Sequence, residues 1–302
     1  MTRPTPASIF TPAVILALLA TWLIWGSTYL AIRFALEDIS PYWQMSSRFA
    51  VAGAVLFVWL KLRGVPSPSR LEWRNAGIVG GLMLGGGMGC VAVAEQTVSS
   101  GLAATLIAAL PLVLAFWNWV LNRVLPTRFE LMGIVLGLAG VVWLTRGQGL
   151  SGTPFGTAMV FTAITCWGLG SLLSRKQTPL AAGGSGAMGF ASEMLAGSVV
   201  LAVLAIVGGE PLPIVSAIGF KSAAAWVYLV TAGSLVAFSA YMYLLRTVAP
   251  SLATTYALVN PIVAVLLGVW LGGEQIAGDE LGAIAVILAA VAMMMWAQGR
   301  RS

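Results

Sequence analysis

Apolar residues occupy this chain in long uninterrupted blocks, near 12–32, 42–60, 76–94, 100–121, 131–145, 155–173, 187–207, 222–245, 251–271 and 281–297. Short stretches holding the charges, prolines and glycines separate them. A helix needs about 20 mostly apolar residues to cross a bilayer, and most of the blocks match that length. A membrane-spanning β-strand would alternate apolar and polar positions, whereas these blocks are continuous, so helices rather than a closed barrel are predicted. The pattern predicts an all-α polytopic membrane protein with ten transmembrane helices. The first block is longer than a signal-peptide core and no small-residue cleavage site follows it, so it reads as the first span.

The blocks fall into two similar halves. Residues 25–33 read WGSTYLAIR and residues 167–175 read WGLGSLLSR, pairing Trp25 with Trp167, Gly26 with Gly168 and Arg33 with Arg175 at an offset of 142. Residues 101–112, GLAATLIAALPL, and 251–262, SLATTYALVNPI, pair Thr105 with Thr255 and Pro111 with Pro261 at an offset of 150, which also aligns Glu130-Leu131 with Glu280-Leu281. The matches keep their order and relate the first block to the sixth, the fourth to the ninth and the fifth to the tenth. Two five-helix repeats are expected, over 1–146 and 147–302. Because five is odd, the second enters the membrane from the opposite side, which makes the repeat inverted and suits alternating access to a midplane site.

Charge orients this arrangement. Twelve Lys and Arg residues, from Arg3 and the Lys61–Arg74 group to Arg300 and Arg301, fall on one side of the membrane. Only Arg33, Arg146 and Lys221 fall on the other. The excess marks the cytoplasmic side, so both termini are expected in the cytoplasm of a bacterial-type inner membrane. The net charge of +6 is thereby explained by topology, and no nucleic-acid partner is expected.

Composition narrows the chemistry. Of 302 residues, 59% are hydrophobic and 9% charged, against roughly 45–50% and about 25% in a soluble domain. Histidine is absent, which removes the usual general base, the HExxH metal pair and His-activated nucleophiles. Cys90 and Cys166 stand singly in apolar stretches, without the CxxC spacing of zinc or redox sites. No P-loop is present. We expect no enzyme activity, no metal and no cofactor.

WGSTYLAIR in the first span, Arg48 in the second, GLAATL with Pro111 in the fourth, and PSLATTYALVNPIVAVLLGVWLGGE followed by GAIAVILAAV near the C-terminus resemble the drug/metabolite transporter superfamily. They are most similar to its ten-helix EamA-type members, and the resemblance extends to amino acid exporters among them. It covers nearly the whole chain. It implies a basket-like bundle whose central cavity is lined mainly by helices one, three, four, six, eight and nine. Helix nine ends with the family-like Glu274, but Arg123 and Val124 stand near the matching position of helix four, where a similar Glu is usual.

Several residues are candidates for contact with a substrate. Trp25 and Tyr29 lie with Trp22 on one face of the first span, and Trp167 with Ser171 repeats that face in the sixth; they pack the bundle or line its cavity. Pro111 and Pro261, read as mid-helix, each free a carbonyl and kink the helix, as hinge, ligand site or packing device. Gly86, within the glycine run of the third span, either lets helices approach closely or leaves room for substrate beside Cys90. Tyr256 and Asn260 are one turn apart beside Pro261, and Tyr241 may share a face with Ser234. An asparagine at that depth either bonds a neighbouring helix or holds a neutral or zwitterionic ligand.

Arg48 and Glu193 are charges inside predicted spans, with Glu95 at a helix end. Such charges face a cavity or a partner, or snorkel to the interface. The three are the coupling candidates, and facilitated diffusion needs none of them. Few buried charges argue against a polyanionic substrate. The expected function is export of neutral or aromatic amino acids and related amphipathic metabolites by alternating access, from a monomer in contact with membrane lipids. Export of drugs or other hydrophobic compounds is the alternative, and a membrane enzyme, scaffold or passive pore belongs to other classes.

Overall fold

The computed structural model describes residues 10–98, 103, 106–144, 146, 152–176, 186–272 and 278–299. Arg3, Thr105, Glu274, Arg300 and Arg301, which entered the orientation, repeat and resemblance arguments, lie outside the described residues. Helices α1 to α5 span Pro12–Ala35, Pro41–Leu62, Arg70–Ala94, Leu110–Asn122 and Arg128–Leu144. Helices α6 to α10 span Pro154–Lys176, Gly186–Val207, Phe220–Thr247, Tyr256–Gly272 and Gly278–Gly299, with a single turn, Pro250–Ala253, ahead of α9. Among the described residues the regular structure is helical apart from one antiparallel bridge between Val98 and Gly152.

Six helices are long and apolar enough to cross a membrane among the described residues: α1, α2, α3, α6 as far as Arg175, α7 and α8. Leu110–Asn122 and Leu281–Ala297 are shorter apolar helices. The fourth apolar block is therefore not one continuous helix. A turn at 108–109 interrupts it, and α4 begins only at Leu110.

Helix starts are fixed by local chemistry. Pro41 opens α2, where its missing N–H costs nothing, and the Glu210 carboxylate accepts from the N–H groups of Tyr42 at 3.0 Å and Trp43 at 3.2 Å. Ser69 and Glu72 close a capping box at α3. Thr127 and Glu130 do the same at α5: the Thr127 N–H donates to Glu130 Oε2 at 2.8 Å and the Glu130 N–H donates to Thr127 Oγ1 at 3.2 Å. Ser251 adds its hydroxyl to Glu130 Oε1 at 2.8 Å, so this carboxylate is buried but satisfied.

Helices α3 and α8 change their winding midway. Gly81–Gly89 in α3 and Leu229–Phe238 in α8 form π-helix, with hydrogen bonds closing over five residues instead of four. The two stretches start 148 residues apart, within the 142–150 spacing of the internal repeat. Long π segments are rare and concentrate at functional sites.

The chain forms two compact units, each drawing on both halves of the sequence. The first comprises Met1–Tyr29, Val98–Thr153 and Ala240–Ser302. Within it α5 packs along α10, and Ile134, Val141, Leu258, Ile262, Ile287 and Met294 form a buried core. The second comprises Leu30–Thr97 and Pro154–Ser239. Within it α2 packs along α7, and α3 packs against both α6 and α7.

Candidate functional site

In the first unit three aromatic rings converge. Trp25 is only 6% exposed; its ring centroid lies 4.5 Å from that of Tyr256 in an edge-on arrangement and 5.2 Å from that of Tyr241. Tyr241 and Tyr256 meet at 5.6 Å, nearly perpendicular. Such offset and edge-on pairs each contribute about 0.5–1.5 kcal/mol beyond burial of area. One turn before Trp25, the Trp22 indole donates to Thr255 Oγ1 at 3.0 Å. The next residue must be glycine, because a Cβ on Gly26 would lie 2.5 Å from the Cβ of Val263.

Asn260 follows Tyr256 by one turn of α9 and is 3% exposed. Its Oδ1 is buried without a hydrogen-bond partner, an arrangement that costs about 1–3 kcal/mol unless something else donates to it. Pro261 comes next, inside α9, and supplies no N–H to the carbonyl of Ala257. Pro111 differs from the mid-helix position expected for it. It is the second residue of α4, in the first turn where proline displaces no intrahelical bond, so it produces no kink there. Tyr29 is half-buried.

The second unit holds the other indole. Trp167, also 6% exposed, lies 5.6 Å from Phe238, which lies 4.7 Å from Phe190 and 6.4 Å from Phe49. Ser171, one turn later, donates its hydroxyl to the Trp167 carbonyl at 2.7 Å. The glycine run is packed rather than open: a Cβ on Gly86 would lie 2.7 Å from the Cys166 sulfur. Close helix approach accounts for it, and the room imagined there for substrate is filled. Cys90 and Cys166 are free, half-buried thiols.

Arg48 does not snorkel. It is 1% exposed; its Nε donates to Ser234 Oγ at 2.7 Å, and its guanidinium carbon stands 4.8 Å from the centroid of the Phe49 ring. Ser234 lies in the π-wound stretch of α8, one turn before Phe238. Ser234 and Tyr241 thus serve different neighbours. Glu193 is buried and accepts from the Ser174 hydroxyl at 3.2 Å, not from Arg48 within ion-pair distance. Both carboxyl oxygens of Glu95 are buried without hydrogen-bond partners.

The ends of the second unit's helices carry further polar contacts. Lys221 pairs with Glu37 at 2.6 Å, and the Gly219 N–H donates to Asp38 Oδ2 at 2.9 Å. The Ser222 hydroxyl and the Gly219 amide hold the Asp38 carboxyl below the usual carboxylate range.

Two buried aromatic groups, each near uncommitted polar atoms, suit an amphipathic small molecule better than a polyanion. The EamA-like transporter family model matches residues 12–146 and again 154–296. The chain belongs to this family. It is 41% identical over 281 residues to the uncharacterized inner membrane transporter YedA of Escherichia coli K12, covering 92% of this chain and 89% of that protein. It is 27% identical over 169 residues to the transporter YoaV of Bacillus subtilis, covering 54% and 58%, and 24% identical over 270 residues to protein PecM of Dickeya dadantii, covering 89% and 87%. A crystal structure 21% identical to it superposes with a TM-score of 0.75 over 96% of this chain and 98% of that one, a likeness of fold. As an EamA-like protein, the chain is a multi-pass membrane transporter.

Sequence reasoning passed over Gln44, Phe238 and Glu130. Gln44 was visible as a long polar side chain inside an apolar block, and Glu130 as the fourth residue of a T-x-x-E capping box at 127–130. Phe238 carried no signal, since one more phenylalanine in an apolar block looks like any other.

Proposed function

We propose that this EamA-like protein exports neutral or aromatic amino acids and related amphipathic metabolites across the bacterial inner membrane by alternating access. The observation that carries the reading is the Asn260 amide oxygen, buried without a donor one turn from Tyr256 in the Trp25, Tyr241 and Tyr256 group. A substrate ammonium or hydroxyl supplies the missing donor, and the aromatic faces take an apolar side chain or the ammonium itself. Pro261, immediately after Asn260, leaves a free carbonyl that acts as a second acceptor or as a hinge.

In this reading ten helices form two inverted repeats, 1–146 and 147–302, with both termini cytoplasmic and one chain as the working unit. The packing of α2 along α7 and of α5 along α10 supports it, because each pair joins the same helix of the two repeats. The matching π stretches of α3 and α8 support it as well. Glu193 and Glu95 are the carboxylates available for proton coupling.

Counterflow into proteoliposomes tests the proposal. Vesicles loaded with unlabelled amino acids should accumulate labelled phenylalanine, threonine or methionine saturably, and Asn260→Ala should lower the rate several-fold while the protein still folds. No counterflow of any amino acid would falsify the substrate assignment and leave hydrophobic-compound export in its place. An unchanged Asn260→Ala rate would remove Asn260 from the site.

A further inference from the structure

Arg48 is a full charge inside a membrane-spanning helix, yet its protein contacts are neutral. Ser234 Oγ accepts from Nε at 2.7 Å, the Met45 sulfur stands 3.8 Å from Nη1, and the Phe49 ring lies against the guanidinium. No carboxylate among the described residues lies within ion-pair distance of it. A guanidinium carries five N–H donors, and thioether sulfur is a weak acceptor, so most of this donor capacity is unmet. Burying a charge in this way is costly unless a counter-charge accompanies it.

Gln44 stands one helical turn before Arg48, on the same face of α2. It is 0% exposed, and both Nε2 and Oε1 are buried without a hydrogen-bond partner. Unmet amide and guanidinium groups side by side indicate a missing ligand rather than isolated packing faults. Ser234 strengthens this. Having accepted from Arg48, its hydroxyl still has a proton to donate, and it sits in a π-wound stretch, where the helix departs from ordinary geometry.

We propose that Gln44, Arg48 and Ser234 form a buried subsite for one monovalent anionic group, either the carboxylate of a transported substrate or a free inorganic anion such as chloride. The Arg48 guanidinium, the Gln44 amide N–H and the Ser234 hydroxyl donate to the anion. Gln44 Oε1 accepts from a donor carried beside it, as the ammonium of an α-amino acid is carried beside its carboxylate. Phe238, one turn after Ser234 and 5.6 Å from Trp167, offers an apolar wall for the rest of such a molecule. The carboxylate form of this inference rests on the amino acid reading; the anion subsite itself does not.

Two readouts separate those layers. The first is thermal unfolding of the purified full chain in benzoate against benzamide, and in chloride against sulfate. Benzoate should raise the unfolding midpoint while benzamide does not, and Gln44→Met, Ser234→Ala and Arg48→Gln should weaken benzoate's apparent affinity roughly tenfold or more. Gln44→Met and Ser234→Ala decide the matter if Arg48→Gln does not fold. Stabilisation by chloride but not benzoate, lost in the same variants, assigns the subsite to an inorganic anion. Absence of stabilisation by either anion, or stabilisation unchanged in all the variants, overturns the proposal.

The second readout is counterflow of labelled phenylalanine competed by phenylalanine or by phenylalaninamide. The acid should compete better than the amide, and Gln44→Met should erase the preference. Equal competition in the unaltered protein overturns the carboxylate assignment even if transport is robust. Benzoate stabilisation without any amino acid counterflow keeps the subsite and overturns the amino acid reading instead.

Discussion

Trp25 and Trp167 occupy matching positions of the internal repeat and are equally buried, but their neighbourhoods have diverged. Trp25 meets two tyrosines, Tyr241 and Tyr256, with the amide of Asn260 one turn away. Trp167 meets Phe238, which touches Phe190 and Phe49, and Phe49 in turn lies under the Arg48 guanidinium. One region combines aromatic faces with neutral polar groups; the other combines purely apolar rings with a buried charge. Duplication has conserved the large ring and its burial. The polar chemistry around it was free to differ, because each unit satisfies its own buried groups.

The most forceful way to break this comparison is to remove each indole. Trp25→Ala and Trp167→Ala should each destabilise the protein by about 3–5 kcal/mol, the usual cost of emptying an aromatic core position. Trp25→Ala should cost more, because two tyrosine contacts are lost against one contact with Phe238. Unfolding midpoints of the purified variants check this. Equal and small shifts would mean that neither ring packs as described and that the contrast is superficial.

The repeat-related prolines sharpen the same point at lower cost. Pro261 lies inside α9, where an interior proline is unfavourable by about 3 kcal/mol relative to alanine, whereas Pro111 lies in the first turn of α4, where it is tolerated. Pro261→Ala should therefore stabilise the protein by up to about 3 kcal/mol and slow transport, by restoring the N–H that Ala257 lacks. Pro111→Ala should leave stability nearly unchanged. Similar shifts for both would show that the two helices are used alike despite their different starts.

These prolines also mark how much was legible in the sequence. The length and continuity of the apolar blocks gave the helical membrane class, since nothing else buries so many apolar residues without alternation. The W-G pairs, the T-x-x-E box and the family resemblance were equally readable, because each depends on residues close together in the chain. The turn at 108–109 was not, because an apolar block looks the same whether or not its helix is interrupted. The winding of α3 and α8 was hidden for a related reason: leucine, glycine and valine accept i→i+4 and i→i+5 bonding alike. Arg48 was visible as a charge, but its burial against Ser234 joins residues 186 positions apart, and no local pattern encodes that contact.

The finest test exchanges the polar tips of the two regions while keeping the rings. Tyr256→Phe leaves the edge-on packing against Trp25 intact and removes one hydroxyl, which should cost about 0.5–1.5 kcal/mol. Phe238→Tyr adds a hydroxyl among Trp167, Phe190 and Phe49 at a position only 2% exposed, and an unmatched hydroxyl there should cost about 1–3 kcal/mol. The added group should therefore be worse than the deleted one, by unfolding midpoint and by yield of folded protein. If Phe238→Tyr is instead neutral, a polar partner is available beside Phe238. The second region would then resemble the first more closely than its phenylalanines indicate, and the Ser234 hydroxyl, one turn away, would be the group to examine as that partner.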